Sequence, residues 1–223
     1  MLLALGLTGF LALAAVVVVR WLRRRVDALG RIAPFPAISV ALSLVLALGC
    51  AVPLALEAWL EHRLEAAASE VAGVPVQVDC QGLGQAFTDV GQELGYVRWG
   101  PDGVPERSTL IKIRVCNDLR AWLGSPQTDP SLDQVIAVHV LTHETMHMVG
   151  VVNEARTECA AVQRDAATAV ALGASPAQAQ ALALRYWTEV YPRMPSDYRG
   201  GCGAGGTHDE GRAGAPWLAG ATP

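Results

Sequence analysis

Residues 1–19 carry no charge and run through Leu, Val, Ala and Phe. As a helix rising about 1.5 Å per residue, such a run covers a hydrocarbon core of roughly 30 Å. A second uncharged run extends from Ile32 to Leu56, with Pro34, Pro36 and Pro53 toward its ends, where a membrane helix tolerates proline. Beyond it the pattern changes. Residues 57–72 are rich in Ala, Glu and Leu, and Glu57, Glu61, Glu65 and Glu70 mark a helix that stays in water. Val74 to Val78 alternates as a strand. Gly95–Trp99 and Thr109–Val115 are further strand candidates around the turn Gly100-Pro101-Asp102-Gly103, with Ile111, Ile113 and Val115 on one face and Lys112 and Arg114 on the other. After a turn at 125–130, helices are expected at 131–149, 153–173 and 176–190, the last with Ser175 as cap and Pro176 as first residue. Residues 199–223, dominated by Gly and Ala, read as a loosely ordered tail.

The expected class is α+β. A transmembrane hairpin occupies 1–61, with helices at about 1–19 and 32–56; a domain at 62–198 combines a short antiparallel sheet with three main C-terminal helices; the tail is 199–223. Between the apolar runs stand Arg20, Arg23, Arg24, Arg25 and Arg31, with Asp27 the only acid. The positive-inside rule places this loop, 20–31, in the cytoplasm and both flanking ends outside. A cleaved secretory signal has its positive charges before the apolar run, whereas here they follow it. The chain is thus expected to be a multi-pass protein of the cell membrane with an extracytoplasmic C-terminal domain.

Cysteine usage fits that compartment. Cys50 lies within the second apolar run, and Cys80, Cys116, Cys159 and Cys202 make an even number beyond it. An oxidising compartment pairs them. Of three possible connectivities, the expected one joins Cys80 to Cys116 and Cys159 to Cys202. The domain beyond the hairpin is mildly acidic and has no basic patch, nucleotide-binding loop or repeat, which argues against nucleic acid as a partner.

The chemistry concentrates at His143-Glu144-Thr145-Met146-His147, an HExxH pentapeptide inside an apolar-periodic helix. Residues i and i+4 lie above one another on a helix, so both imidazoles can reach one ion and Glu144 can touch a water beside it. Ile136, Val140, His143 and His147 share one stripe, turning the histidines toward a protected cleft. Gly150 can end the helix in the left-handed conformation and Asn153 can cap the next. The chain then reverses, bringing Glu154 or Glu158 toward the imidazoles. Two His and one Glu form a catalytic zinc set with a fourth position open.

These residues resemble the gluzincin metallopeptidases, which combine HExxH with a downstream helix opening Asn-Glu-Ala-x-x-Asp. The resemblance covers about residues 140–165 and implies a zincin-like domain, with Glu154 as third zinc ligand and Glu158 as the carboxylate bracing a histidine. Glu158 stands where the family has Asp. The link from His147 to Glu154 is far shorter than in thermolysin-like members and is similar to the metzincin pattern HExxHxxGxxH, with Gly150 at the metzincin glycine and Asn153, a poor ligand, at their third histidine. Glu158, one turn beyond Glu154 on the same face, is the rival ligand.

The expected function is that of a membrane-anchored Zn2+ peptidase acting on peptides or proteins outside the membrane, with Glu144 as general base. Candidate oxyanion donors are Tyr191, Tyr198 and His208. An exposed strand beside the helix would hold an extended peptide. The alternatives are a non-catalytic zinc-stabilised domain or a metal-free interaction domain of the envelope. An intramembrane protease is disfavoured by Asp133, Glu154, Arg156 and Glu158 near the motif.

Overall fold

The computed structural model describes residues 2–26, 29–89, 91 and 93–220; Asp27 and the last three residues of the tail lie outside them. The chain divides into two compact units, Met1–Trp59 and Leu60–Pro223.

In the first unit, α1 (Leu2–Arg24) and the N-terminal part of α2 (Ala37–Ala72) are both long and apolar enough to cross a membrane. Large apolar side chains such as Leu5, Leu11, Val16, Leu42, Val45 and Leu48 are exposed around both helices, as a hydrocarbon solvent requires. The buried positions carry small residues: Ala14, Ser43 and Ala47. A Cβ on Gly6 would stand 3.0 Å from Cys50 Sγ, so glycine there permits the close approach of the helices. The connecting loop is closed by a bridge between Val26 and Ile32 and by Trp21, whose indole donates to Ala33 O at 3.0 Å and meets Phe35 edge-on. Residues 57–72, expected as a separate helix, are the continuation of α2, with Pro53 inside it. Nothing in their sequence breaks the helix that enters them.

The second unit is α+β. Its sheet has the order β1-β3-β2, with β1 (Gln77–Cys80), β2 (Gly95–Trp99) and β3 (Pro105–Ile111). The sheet is mixed rather than antiparallel: β1 runs parallel to β3, with Cys80 opposite Ile111, and β2 runs antiparallel to it, with Gly95 opposite Ile111. A short helix, α3 (Leu83–Ala86), begins the crossover from β1. The strand expected at 109–115 ends at Ile111, and Ile113–Leu123 is helix α4. Val115, Cys116, Leu119 and Trp122 bury one face of that helix, and this apolar stripe outweighs the short alternation of Ile111, Ile113 and Val115. The first strand is likewise displaced from Val74–Val78 to Gln77–Cys80.

Helix α5 (Leu132–Met148) lies against β2, β3 and α4 and is buried along almost all its length from Val135. Ser131 opens it with a capping box: its hydroxyl accepts from Gln134 N while the Gln134 side chain accepts from Ser131 N. Past Met148, Gly150 takes φ +96°, the left-handed conformation that turns the chain. Asn153 then accepts from Arg156 N and starts α6 (Glu154–Val162), which folds back on α5. The helix expected over 153–173 is broken into α6 and α7 (Asp165–Ala171) by a tight turn in which Arg164 N donates to Ala161 O at 2.7 Å, and the Gln163 amide there donates to Cys159 O and His208 O. Helix α8 (Pro176–Arg185) follows and passes into a π-helical turn, Tyr186–Val190.

The tail is not loose through Leu218. Trp217 packs on Trp187 at 5.2 Å between ring centroids, Glu210 N donates to Gln163 Oε1 at 2.8 Å, and Arg164 pairs with Glu210. Buried aromatic area and a cross-link outweigh the Gly/Ala composition. Disulfides join Cys80 to Cys116 and Cys159 to Cys202, and Cys50 is free.

Candidate metal centre

His143 and His147 sit one turn apart on α5, and the reversal at Gly150 delivers Glu154 from the first turn of α6. The two Nε2 atoms are 3.1 Å apart; Glu154 Oε2 is 3.2 Å from the first and 3.4 Å from the second. The tautomers follow from the partners behind the rings. His147 Nδ1 is 2.8 Å from Val151 O, and a carbonyl only accepts, so Nδ1 donates. His143 Nδ1 faces Glu158 Oε2 at 3.1 Å and donates likewise. Both Nε2 lone pairs are therefore aimed at each other and at a carboxylate oxygen, an arrangement that calls for a cation between them. Ligand bonds of about 2.0–2.1 Å in tetrahedral geometry put ligand atoms about 3.3 Å apart, so the three atoms fit a tetrahedral ion.

A proton meets the same demand in part. Burial opposes charge on His143, yet its hydrogen bonds to Glu154 and Glu158 lift its pKa to about 9. The same two imidazoles pull Glu154 down to about 2. Glu144 is buried against the backbone of Gly95, where a Cβ would come within 3.0 Å of Glu144 Cγ. Among the described residues its Oε2 has no hydrogen-bond partner, and burial raises its pKa.

His139, His143 and Glu158 form a second group of donor atoms within 4.8 Å. Here every contact is accounted for as hydrogen bonding. Glu158 Oε2 accepts from His139 Nε2 at 3.0 Å and from His143 Nδ1, and Oε1 accepts from Tyr186 Oη at 2.6 Å. Burial opposes the charge of Glu158, but His139 and His143 hold it well below the usual carboxylate range.

The imidazoles, Glu144, Glu154 and Tyr198 line a cleft of about 590 Å³, with β2 along one wall and Ile136, Val140, Val190 and Met194 among its apolar residues. The Tyr198 ring is 5.8 Å from that of His143. The other two candidate donors are not brought to the cleft. Tyr191 is stacked on Trp187 at 4.6 Å and its hydroxyl accepts from Gly200 N. His208 is placed with the tail, its carbonyl bonded to Gln163. Three residues of the site escaped sequence reasoning. His139 had a visible signal, four residues before His143 on the same helix; Asp165 and Tyr186 had none, since α7 and the π-helical turn after α8 reach the site only by folding.

Sheet edges differ in a way that bears on the cleft. Glu61 and Glu65 accept from Cys80 N at 2.9 Å and Val78 N at 3.4 Å, covering amides of β1. On the far side, Leu94 O accepts from Lys112 N, so strand alternation turns the peptide groups of Gly95 and Val97 away from β3, and both residues line the cleft.

The fold and site thus define an α+β domain with buried His/Glu groups that could hold a metal ion, preceded by two helices apolar enough to span a membrane. Comparisons with protein-family models, curated proteins and solved structures find no match.

Proposed function

We propose that this chain is a membrane-anchored zinc peptidase of zincin type that hydrolyses peptide bonds outside the cytoplasmic membrane. The observation that carries the reading is the convergence of His143 Nε2, His147 Nε2 and Glu154 Oε2 in a cleft that also holds Glu144, whose Oε2 has no partner among the described residues, and that β2, the outer strand of the sheet, lines. Glu154 serves as third ligand, because its oxygen faces both Nε2 atoms while the oxygens of Glu158 are occupied behind His143. The borderline imidazole nitrogens and hard carboxylate oxygen in a three-residue set suit zinc. Zinc so held supplies Lewis acidity, lowering the pKa of a water toward neutrality and polarising a carbonyl.

The remaining steps belong to the chain. Glu144 accepts the proton of the attacking water and passes it to the leaving amine; its burial raises its basicity for that task. An extended peptide pairs with Gly95 and Val97 along the free edge of β2, which fixes its main chain over Glu144. Tyr198, on the facing wall, donates to the developing oxyanion. The arginines between the two apolar helices, which the positive-inside rule assigns to the cytoplasmic side, and two disulfides in the other unit support an outward domain.

The test uses the purified full chain in detergent, by elemental analysis and cleavage of a quenched-fluorescent peptide library. Zinc at about one per chain with cleavage, and a Glu144→Gln variant that keeps zinc but loses cleavage by at least about 100-fold, supports the reading. Equal cleavage by wild type and variant refutes it.

A further inference from the structure

Behind the metal face runs a buried row of polar groups that the proposed reaction does not use. His139, 3 % exposed, has a carboxylate at each ring nitrogen: Asp165 Oδ2 at 2.8 Å from Nδ1 and Glu158 Oε2 at 3.0 Å from Nε2. Carboxylate oxygens accept, so the ring satisfies both only by donating from both nitrogens. Its face is stacked on Tyr186, with centroids 3.6 Å apart and planes 12° apart. Tyr186 in turn donates to Glu158 Oε1.

Glu158 is thereby gripped at both oxygens, by Tyr186 on Oε1 and His139 on Oε2. A carboxylate held at one oxygen can still swing about its last torsion, which is a broad one. Held at both, it cannot. The fixed Oε2 is the atom that receives His143 Nδ1–H, and the direction of that bond sets the plane of the ring and the aim of Nε2 at the ion. Asp165 closes the row from the far side, fixing the His139 ring, and full burial excludes water as a substitute donor.

We infer that His139, seated between Asp165 and Glu158, is a positioning residue of the metal centre: through Glu158 it fixes the orientation of His143 and leaves Nε2 directed at the ion. The inference rests on the metal-centre reading above and is independent of peptide cleavage. Outer partners of a ligand histidine are worth about 10–100-fold in metal affinity. His139 acts one bond further out, yet its loss frees the carboxylate that is the outer partner.

The experiment uses the full chain in detergent, titrated with Co2+ alone, whose visible d–d absorption reports the geometry of the ligand set. His139→Gln is expected to bind Co2+ about 10–100-fold more weakly than wild type, with shifted bands. Tyr186→Phe, losing only the Oε1 contact, shifts them less and in the same direction. Leu119→Ala, a core change remote from the row, lowers Tm while keeping affinity and spectrum. His139→Gln with wild-type affinity and bands, or with changes no larger than those of Leu119→Ala, overturns the inference while leaving the metal centre standing. Should His139→Gln fail to fold, Asp165→Asn and Tyr186→Phe carry the test, and unchanged affinity and bands in both overturn it. A folded wild type that takes up neither Co2+ nor Zn2+ overturns the metal-centre reading, and the inference falls with it.

Discussion

Gly95 shows how a single hydrogen atom in place of a side chain shapes this site. A Cβ there would meet Glu144 Cγ and Ile111 Cδ1, both at 3.0 Å, so Gly95→Ala overfills the seam between β2 and α5. Such overpacking costs about 1–3 kcal/mol, and it pushes Glu144 from its place. The expected outcome is a lower Tm with zinc retained and cleavage reduced by roughly 100-fold, since displacements near 1 Å carry penalties of that size. Two carboxylates one turn apart on α6 are predicted to differ as sharply. Glu154→Gln removes a ligand and should abolish zinc retention on dialysis, whereas Glu158→Gln should weaken it by about 10–100-fold. Elemental analysis of both variants against free-zinc buffers checks the order; a larger loss in Glu158→Gln would exchange their roles.

Among the elements, α6 is the one on which the site turns. It carries Glu154 and Glu158 and is tied by Cys159–Cys202 to the tail, which also grips Gln163 and Arg164 at the helix end. Cys159→Ala with Cys202→Ala is expected to lower stability by about 2–4 kcal/mol in chemical denaturation, with zinc lost earlier than the sheet unfolds. Helix packing also makes stability depend on pH through His139. Burial opposes its charge, but Asp165 and Glu158 raise its pKa from 6.5 to about 10. A raised pKa means that the folded state holds the proton more tightly, so this contribution is complete below pH 6.5 and is lost as pH climbs toward 10. Denaturation of chelator-treated protein across that window should show a smaller loss in His139→Gln than in wild type, the remainder coming from His143, whose pKa is lifted to about 9.

For the whole molecule, the two units call for different solvents. The first exposes apolar side chains on both helices, and the second buries a core that runs from Leu60 through Ile111 and Leu141 to Trp217. The proposal therefore predicts that the chain stays in the membrane fraction at high pH and that protease added outside intact cells degrades the second unit. Without reductant one thiol, that of Cys50, should titrate in denaturant, against five with reductant. More than one free thiol in freshly isolated protein would count against an oxidising compartment.

The features written locally were legible. Uncharged length marks the two helices of the first unit, the 3.6-residue stripe marks α5, and glycine followed by asparagine marks the reversal that puts Glu154 opposite two imidazoles. The metal group of His143, His147 and Glu154 needs only contacts within a dozen residues, which is why spacing sufficed to suggest it. Where a partner is distant, local pattern misleads: Ile113 and Val115 alternate as a strand yet fold as a helix, because the face from Val115 to Trp122 has a core to bury against. Parallel pairing of β1 with β3 and the docking of the tail depend likewise on chain ends meeting in space. Sequence by itself determined the His and Glu donors, the helix face that His143 and His147 share and the two apolar runs, because these are properties of short range. Only the tertiary structure decided that Asp165 and Tyr186 stand behind the metal face with His139, because a hydrogen bond between groups 26 or 28 residues apart exists only after the helices pack.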